Sequence, residues 1–294
     1  MSLPVLFGAN INPVWGEGDQ PVRTALRADQ AHLDLVTVQD HPYQGAFHDT
    51  WTLMSFLAAR TGRVTFVPTV ANLPLRPPAM LAKAAASFDL LSGRRLQLGL
   101  GAGAFWEAIE AMGGPRRTRK ASVEALSEAI DVIRAMWSGD RSVRAGGAYY
   151  RVAGVHPGPP PSKSLGIWLG ARGPRMLELT GAKADGWMPS LAYLGPDRLG
   201  EAMVHLEVGA RRAGRDPGKL RKIYNLSGLI TTASRGPFHG PVGQWVDQIA
   251  ELNHAYGMNG FVYWPSEDHD RQLSVFAEEV VPAAREAVEV RNPR

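Results

Sequence analysis

The stretch IWLGARGPRMLELTGAKADGW, from Ile167 to Trp187, reads as a strand, a tight turn, a helix and the start of another strand. Ile167 to Leu169 is a short apolar run, and Gly170, Ala171, Arg172 and Gly173 turn the chain through mostly small residues. Pro174 stands where a helix accepts proline, at its first position, because the N–H it lacks would have no intrahelical partner there. A helix over Pro174 to Lys183 follows, and Gly186 to Ser190 begins the next strand. Strand, helix, strand is the repeating unit of a parallel sheet.

Outward from this unit the alternation recurs along the chain. Upstream, Leu6 to Asn12 precedes a helix near Pro21 to Leu33, and Leu35 to Gln39 precedes one near Thr50 to Thr61. Val64 to Val70 leads to Pro78 to Leu91, and Arg95 to Leu100 leads to Ser122 to Trp137, where Leu126, Ile130, Ile133, Met136 and Trp137 recur at helical spacing. Downstream, Gly186 to Ser190 leads to Asp197 to Arg212, Lys222 to Ile230 to Gly243 to His254, and Gly260 to Trp264 to Arg271 to Glu289. A hairpin expected over Val143 to Val152, around Gly146 and Gly147, and the run Pro157, Pro159, Pro160 and Pro161 form an insertion between the fourth and fifth units. Eight βα units close most simply into an α/β fold of the (β/α)8 TIM-barrel type, one domain over residues 1–294. Six or seven would instead make an open doubly wound sheet, and Gly99, Gly101 and Gly103 weakly match a dinucleotide fingerprint with Ala104 in the last glycine's place.

Composition narrows the chemistry. With 45% hydrophobic and 20% charged residues the chain can bury a sizeable core. It has no cysteine, which excludes disulfides, thiolate metal sites and a cysteine nucleophile. The net charge is +4, and Arg116, Arg117, Arg119 and Lys120 cluster without interleaved aromatics. That cluster reads as a solvated helix start or a positive rim that steers anions, so nucleic acid is not an expected partner. Met1 to Asn12 has no export pattern, no eighteen apolar residues run together, and the cytoplasm is the default location. His32, His156, His205, His239, His254 and His269 have no metal-binding spacing, so no metal is expected.

In a barrel the site lies at the C-terminal ends of the strands. The turn from Gly170 to Met176 reads either as a phosphate pocket at a helix N-terminus, with Arg172 or Arg175 adding charge, or as a tight connection whose glycines permit close packing. Asp40 and His41 end the second strand, where an imidazole can move a proton near neutral pH. Asp40 also reads as a satisfied turn residue, and Asp49, beside His48, as a helix N-cap.

Several strand ends together resemble the luciferase-like monooxygenase superfamily, which includes bacterial luciferase and deazaflavin-dependent reductases. The carriers are VQDHP (Val38 to Pro42), DTWTLMSFLAARTGRV (Asp49 to Val64), TVANLPLRPP (Thr69 to Pro78), LLSGRRLQLGLGAG (Leu90 to Gly103), Ile167 to Trp187, and GPVGQWVDQIAEL (Gly240 to Leu252). The resemblance implies a barrel with a flavin-like ring at its mouth and a cis peptide at Thr69–Val70. It also implies cofactor contacts at Asp40, Thr69, Val70, Asn72, Gly101, Ala102, Gly103, Gly170, Ala171, Arg172, Gly173 and Pro174, with Ser190 at the tail phosphate. His41 is the expected proton donor and Glu107 the second choice. The deazaflavin branch, with coenzyme F420, implies hydride transfer to or from a small organic substrate, while FMN implies monooxygenation; a catalytically silent partner subunit is the third reading. Members of the family that oxidise sugar phosphates carry a carboxylate where this chain has Ala104, and Pro74 is displaced by one from the pattern of many reductases. A homodimer through helices of the second and third units is also implied.

Overall fold

The computed structural model describes residues 3–16 and 18–291, so Glu17 and the extreme ends of the expected 1–294 domain lie outside the described residues. Eight parallel strands form the wall: Leu6–Ile11, Leu35–Val38, Thr65–Pro68, Leu98–Gly101, Ile167–Leu169, Gly186–Trp187, Arg221–Ile230 and Gly260–Pro265. The first strand pairs with the second and the eighth, Leu6 lying opposite Gly260, and the pairing continues through the seventh, sixth and fifth to the fourth. Between the third and fourth strands the ring closes through two backbone bonds, Phe66 N–H to Arg95 O at 2.9 Å and Gln97 N–H to Phe66 O at 3.0 Å. Helices Gln20–Gln30, Thr50–Ala58, Pro78–Leu91, Arg119–Trp137, Pro174–Lys183, Leu199–Arg212, Val242–Tyr256 and Val281–Arg291 surround it.

The strands read as continuous apolar runs because both of their faces are buried. Leu35, Val67, Trp168, Met188, Ile223 and Val262 pack together inside the ring. Their chain neighbours Val36, Phe66, Leu169, Trp187, Tyr224 and Phe261 face outward into the helices, against residues such as Leu57, Ile130, Trp245 and Phe276. Because side chains alternate along a strand, two residues further on the inner face presents Thr37, Thr69, Gly170, Ser190, Asn225 and Trp264 at the mouth.

Several expected boundaries move for physical reasons. The third strand stops at Pro68, and a separate short strand, Ala71–Asn72, pairs with Leu100 and Gly101. The fourth begins at Leu98 instead of Arg95, whose guanidinium is occupied by Ser92 O, Thr61 Oγ1, Val64 O and Ala58 O. The hairpin pairs Val143–Gly146 with Arg151–Val155, three residues beyond the expected end, and turns over residues 147–150. Trp106–Ala111 is an additional helix, and His239–Gly240 an additional strand. The last helical stretch starts at His269 and passes through a π-helical segment at Phe276–Val280. Among the described residues no helix is long and apolar enough to cross a membrane.

Candidate active site at the barrel mouth

Thr69 and Val70, joined by a cis peptide bond, carry the chain off the third strand across the mouth. The Val70 isopropyl group fills the space that side chains at two neighbouring strand ends would need. A Cβ on Gly101 would lie 2.4 Å from Val70 Cγ2, and one on Gly170 would lie 3.0 Å from Val70 Cγ1. Glycine at both places is therefore a packing requirement of Val70, and the structure brings Val70, Gly101 and Gly170 into one floor. Asn72, 6% exposed, stands beside it, paired through its backbone with the fourth strand. Its side-chain Oδ1 is buried without a hydrogen-bond partner. Asn225 Oδ1 and Trp264 Nε1, on the inner faces of the seventh and eighth strands, are buried and unpartnered too. Two acceptors and a donor without partners at the same end of a barrel suit the amide-rich edge of a flat ligand, since native buried polar groups rarely stay unpaired.

Asp40, expected among the cofactor contacts, is buried and tied to the segment beside this floor. Its carboxylate accepts from Asn72 N–H at 2.9 Å and from Arg76 Nε and Nη2 at 2.7 and 2.8 Å. It thereby anchors the segment that carries Asn72. Arg76 Nη2 also donates to Asp49 at 2.6 Å, while Asp49 caps the helix Thr50–Ala58 by accepting from Thr52 N–H. Burial alone would lower the Arg76 pKa, but Asp40 and Asp49 raise it well above the ordinary arginine value. Burial alone would raise Asp49, yet Arg76 and the Thr52 N–H hold it below the usual carboxylate range. Sequence reasoning missed Arg76, although a single cation inside the apolar run TVANLPLRPP was a visible cue.

His41 follows on the rim. Its Nδ1 lies 2.7 Å from the Tyr43 hydroxyl, and the rings of Tyr43, Phe47 and Phe105 surround it at centroid distances of 5.5, 6.3 and 5.6 Å. Burial lowers the His41 pKa, with Asp40 pulling partly the other way, so the surroundings favour the neutral imidazole. Burial, reinforced by Asp40, pushes the Tyr43 hydroxyl up to about 12. The rim segment is latched to the first strand's loop, where Trp15 Nε1 donates to Gly45 O and His48 N–H to Pro13 O. Phe105, 54% exposed, leans in from the fourth strand's loop. Glu107 sits exposed in the first turn of Trp106–Ala111, and no bond among the described residues joins it to His41.

On the opposite rim, Gly173 has φ of +83°, a conformation glycine adopts without penalty, and it starts the helix Pro174–Lys183. Trp187 Nε1 pins the turn by donating to Ala171 O at 2.9 Å. Arg172 lies over the Tyr193 ring at 4.8 Å, and neither it nor Arg175 has an ion-pair partner among the described residues. Ser190 Oγ accepts from Asn225 Nδ2 at 3.1 Å. Ala102 and Gly103 follow Gly101 at the end of the fourth strand, both partly exposed.

Known proteins share this architecture. Residues 13–235 match the family model of luciferase-like monooxygenases. An F420-dependent hydroxymycolic acid dehydrogenase of Mycobacterium tuberculosis is 31% identical over 222 residues, covering 72% of this chain and 59% of that protein. A solved F420-dependent secondary alcohol dehydrogenase in complex with an F420-acetone adduct superposes with a TM-score of 0.84 at 20% identity, covering 96% of this chain and 99% of the other. The EDTA monooxygenase of Chelativorans sp. BNC1 superposes with a TM-score of 0.80 at 16% identity, covering 97% and 94%.

Proposed function

The chain belongs to the luciferase-like monooxygenase family, and from that premise we propose that it transfers hydride between coenzyme F420 and a small organic carbonyl compound or alcohol. The observation that carries this reading is the mouth itself: a glycine-flanked Val70 floor beside the unpartnered Asn72 Oδ1, with His41 on the rim. Coenzyme F420 supplies two-electron hydride chemistry when bound.

The protein's share is binding, orientation and the proton. Val70 and Asn72 would hold the ring, with Asn72 Oδ1 available to accept from its polar edge. The turn Gly170–Pro174, with Arg172 and Ser190, would receive the tail phosphate, as helix N-termini do for anions. Asp40 keeps Asn72 in place through the backbone bond, and His41 provides the proton at the substrate oxygen. Gly101, Ala102 and Gly103 border the ring, and Glu107 stays the second choice as donor. Phe105, Phe47 and Tyr43 make the His41 side aromatic, and Asp40, the charge that acts on His41 and Tyr43, is itself paired with Arg76. That wall suits a neutral substrate and gives an anion no partner. The F420 dependence of the mycobacterial relative supports the deazaflavin over FMN.

The test is a fluorescence titration of the purified protein with F420 and with FMN, each in both redox states. Tight selective F420 binding is expected. Selective FMN binding would turn the reading to oxygen-consuming monooxygenation, and binding of neither would remove the cofactor assignment.

The same reading includes a second copy of the chain. Phe56, Met80, Leu90 and Leu91, 49, 64, 45 and 89% exposed, lie on the helices of the second and third units. Exposed large apolar side chains on the helices of these two units support pairing there.

A further inference from the structure

We propose that Tyr43 is a positioning residue that holds His41 in the tautomer protonated at Nε2, so that the imidazole presents an N–H donor to the substrate oxygen. The tautomer follows from this site's geometry alone; its use in proton transfer rests on the function proposed above.

A neutral imidazole has one N–H, and the bond its other nitrogen makes decides which nitrogen carries it. The contact between Nδ1 and the Tyr43 hydroxyl, at 2.7 Å, allows two arrangements. If Nδ1 carried the hydrogen, the hydroxyl would accept and its own proton would need another acceptor. Among the described residues the Tyr43 hydroxyl has no other hydrogen bond. If the hydroxyl donates to Nδ1, the phenol acts in its stronger role, as a donor to a basic ring nitrogen, and the one unpaired donor is the Nε2–H, available to a ligand. Nε2 makes no hydrogen bond among the described residues, which leaves it for a ligand.

The surroundings act the same way. Burial disfavours both the imidazolium and the phenolate, and Asp40 is the charged group acting on both rings. Phe47 and Phe105, from the other packed segments, are uncharged, and Arg76 is tied to Asp40. The proton therefore stays on the Tyr43 oxygen and is shared toward Nδ1. In carbonyl reduction a bound reduced deazaflavin would supply the hydride, and the substrate oxygen would take the Nε2 proton. As Nε2 gives up its proton, Nδ1 would take the Tyr43 proton, and a solvent proton arriving at Nε2 would then send the Nδ1 proton back to the Tyr43 oxygen, so that the net proton comes from water.

The experiment uses the whole protein without cofactor, labelled with nitrogen-15 at histidine only. Long-range proton–nitrogen correlation spectra at alkaline pH distinguish the two tautomers, and His41→Gln identifies the His41 signals by their loss. The wild type should show the Nε2–H pattern. Tyr43→Phe should give a mixture of tautomers and a higher His41 pKa, because the bond that stabilises the neutral ring is gone. A wild-type Nδ1–H pattern, or an unchanged tautomer in Tyr43→Phe, would overturn the proposal. The wild-type spectrum needs no variant to fold. Since no cofactor is in the tube, this outcome is independent of the F420 and FMN titration.

Discussion

Arg76→Ala would leave Asp40, whose side chain is 1% exposed, without its counter-charge. Breaking a buried pair from one side costs about 3–5 kcal/mol, so the variant should unfold at clearly lower urea, and an unchanged midpoint would refute the role given to Arg76. Asp49 gives this site a pH signature. Its folded pKa is depressed, so the stability it contributes is fully present above its unfolded pKa of about 3.9 and is lost as pH falls through the folded value. Stability should therefore fall on acidification below about pH 4, and less steeply in Arg76→Ala. Superimposable pH curves for the two proteins would argue against the pairing. At the rim, His41→Ala should lower turnover by about 100-fold, within the range of general acid catalysis, while cofactor affinity is retained. Full turnover in that variant would transfer the proton role elsewhere, with Glu107 next.

At the scale of elements, the floor is a joint between the third, fourth and fifth strand ends. Gly101→Ala should cost about 1–3 kcal/mol by overpacking against Val70 and should weaken cofactor binding as the isopropyl group is displaced. Adding Val70→Ala should recover part of the stability, because contacting residues are not additive. Simple additivity in that cycle would mean the two side chains do not compete for space. The same elements show what was legible. Helices Pro78–Leu91 and Pro174–Lys183 fall on their expected bounds because proline marks their starts. The helix Trp106–Ala111 escaped notice because Phe105 gives it no side-chain cap and glycines precede it. The Gly-rich strand end at Gly101 is legible from the apolar run before it, whereas the Thr69–Val70 cis bond and the cofactor roles expected of Gly101 and Asn72 came from family resemblance. The Asp40–Arg76 pair spans 36 residues, and no local pattern announces such a contact. Asn225 and Trp264 lie within the expected strands Lys222 to Ile230 and Gly260 to Trp264 but stand out only through their buried, unpartnered polar atoms.

The whole barrel should respond to its ligand as one body. A cofactor present at a hundred times its Kd adds about 2.7 kcal/mol to the folded state, so the melting temperature should rise with F420 and much less with FMN. Equal shifts with both would leave the choice between them open at the level of binding and move it to turnover. Met80→Glu and Leu91→Lys should convert the proposed dimer to monomers in sedimentation velocity, and a wild-type monomer would dispose of the pairing. The ring of eight strands hides nearly all of its backbone edges from solvent, whereas the hairpin outside it does not. Val143–Gly146 and Arg151–Val155 pair only with each other, and Val155 is 39% exposed. An uncovered strand edge is a template for another chain, which the bulge beside Val143 and the charges of Arg144 and Arg151 oppose. Aggregation of the folded protein in concentrated solution should therefore start at this hairpin, and its solubility should depend on those two arginines more than on any residue of the barrel wall.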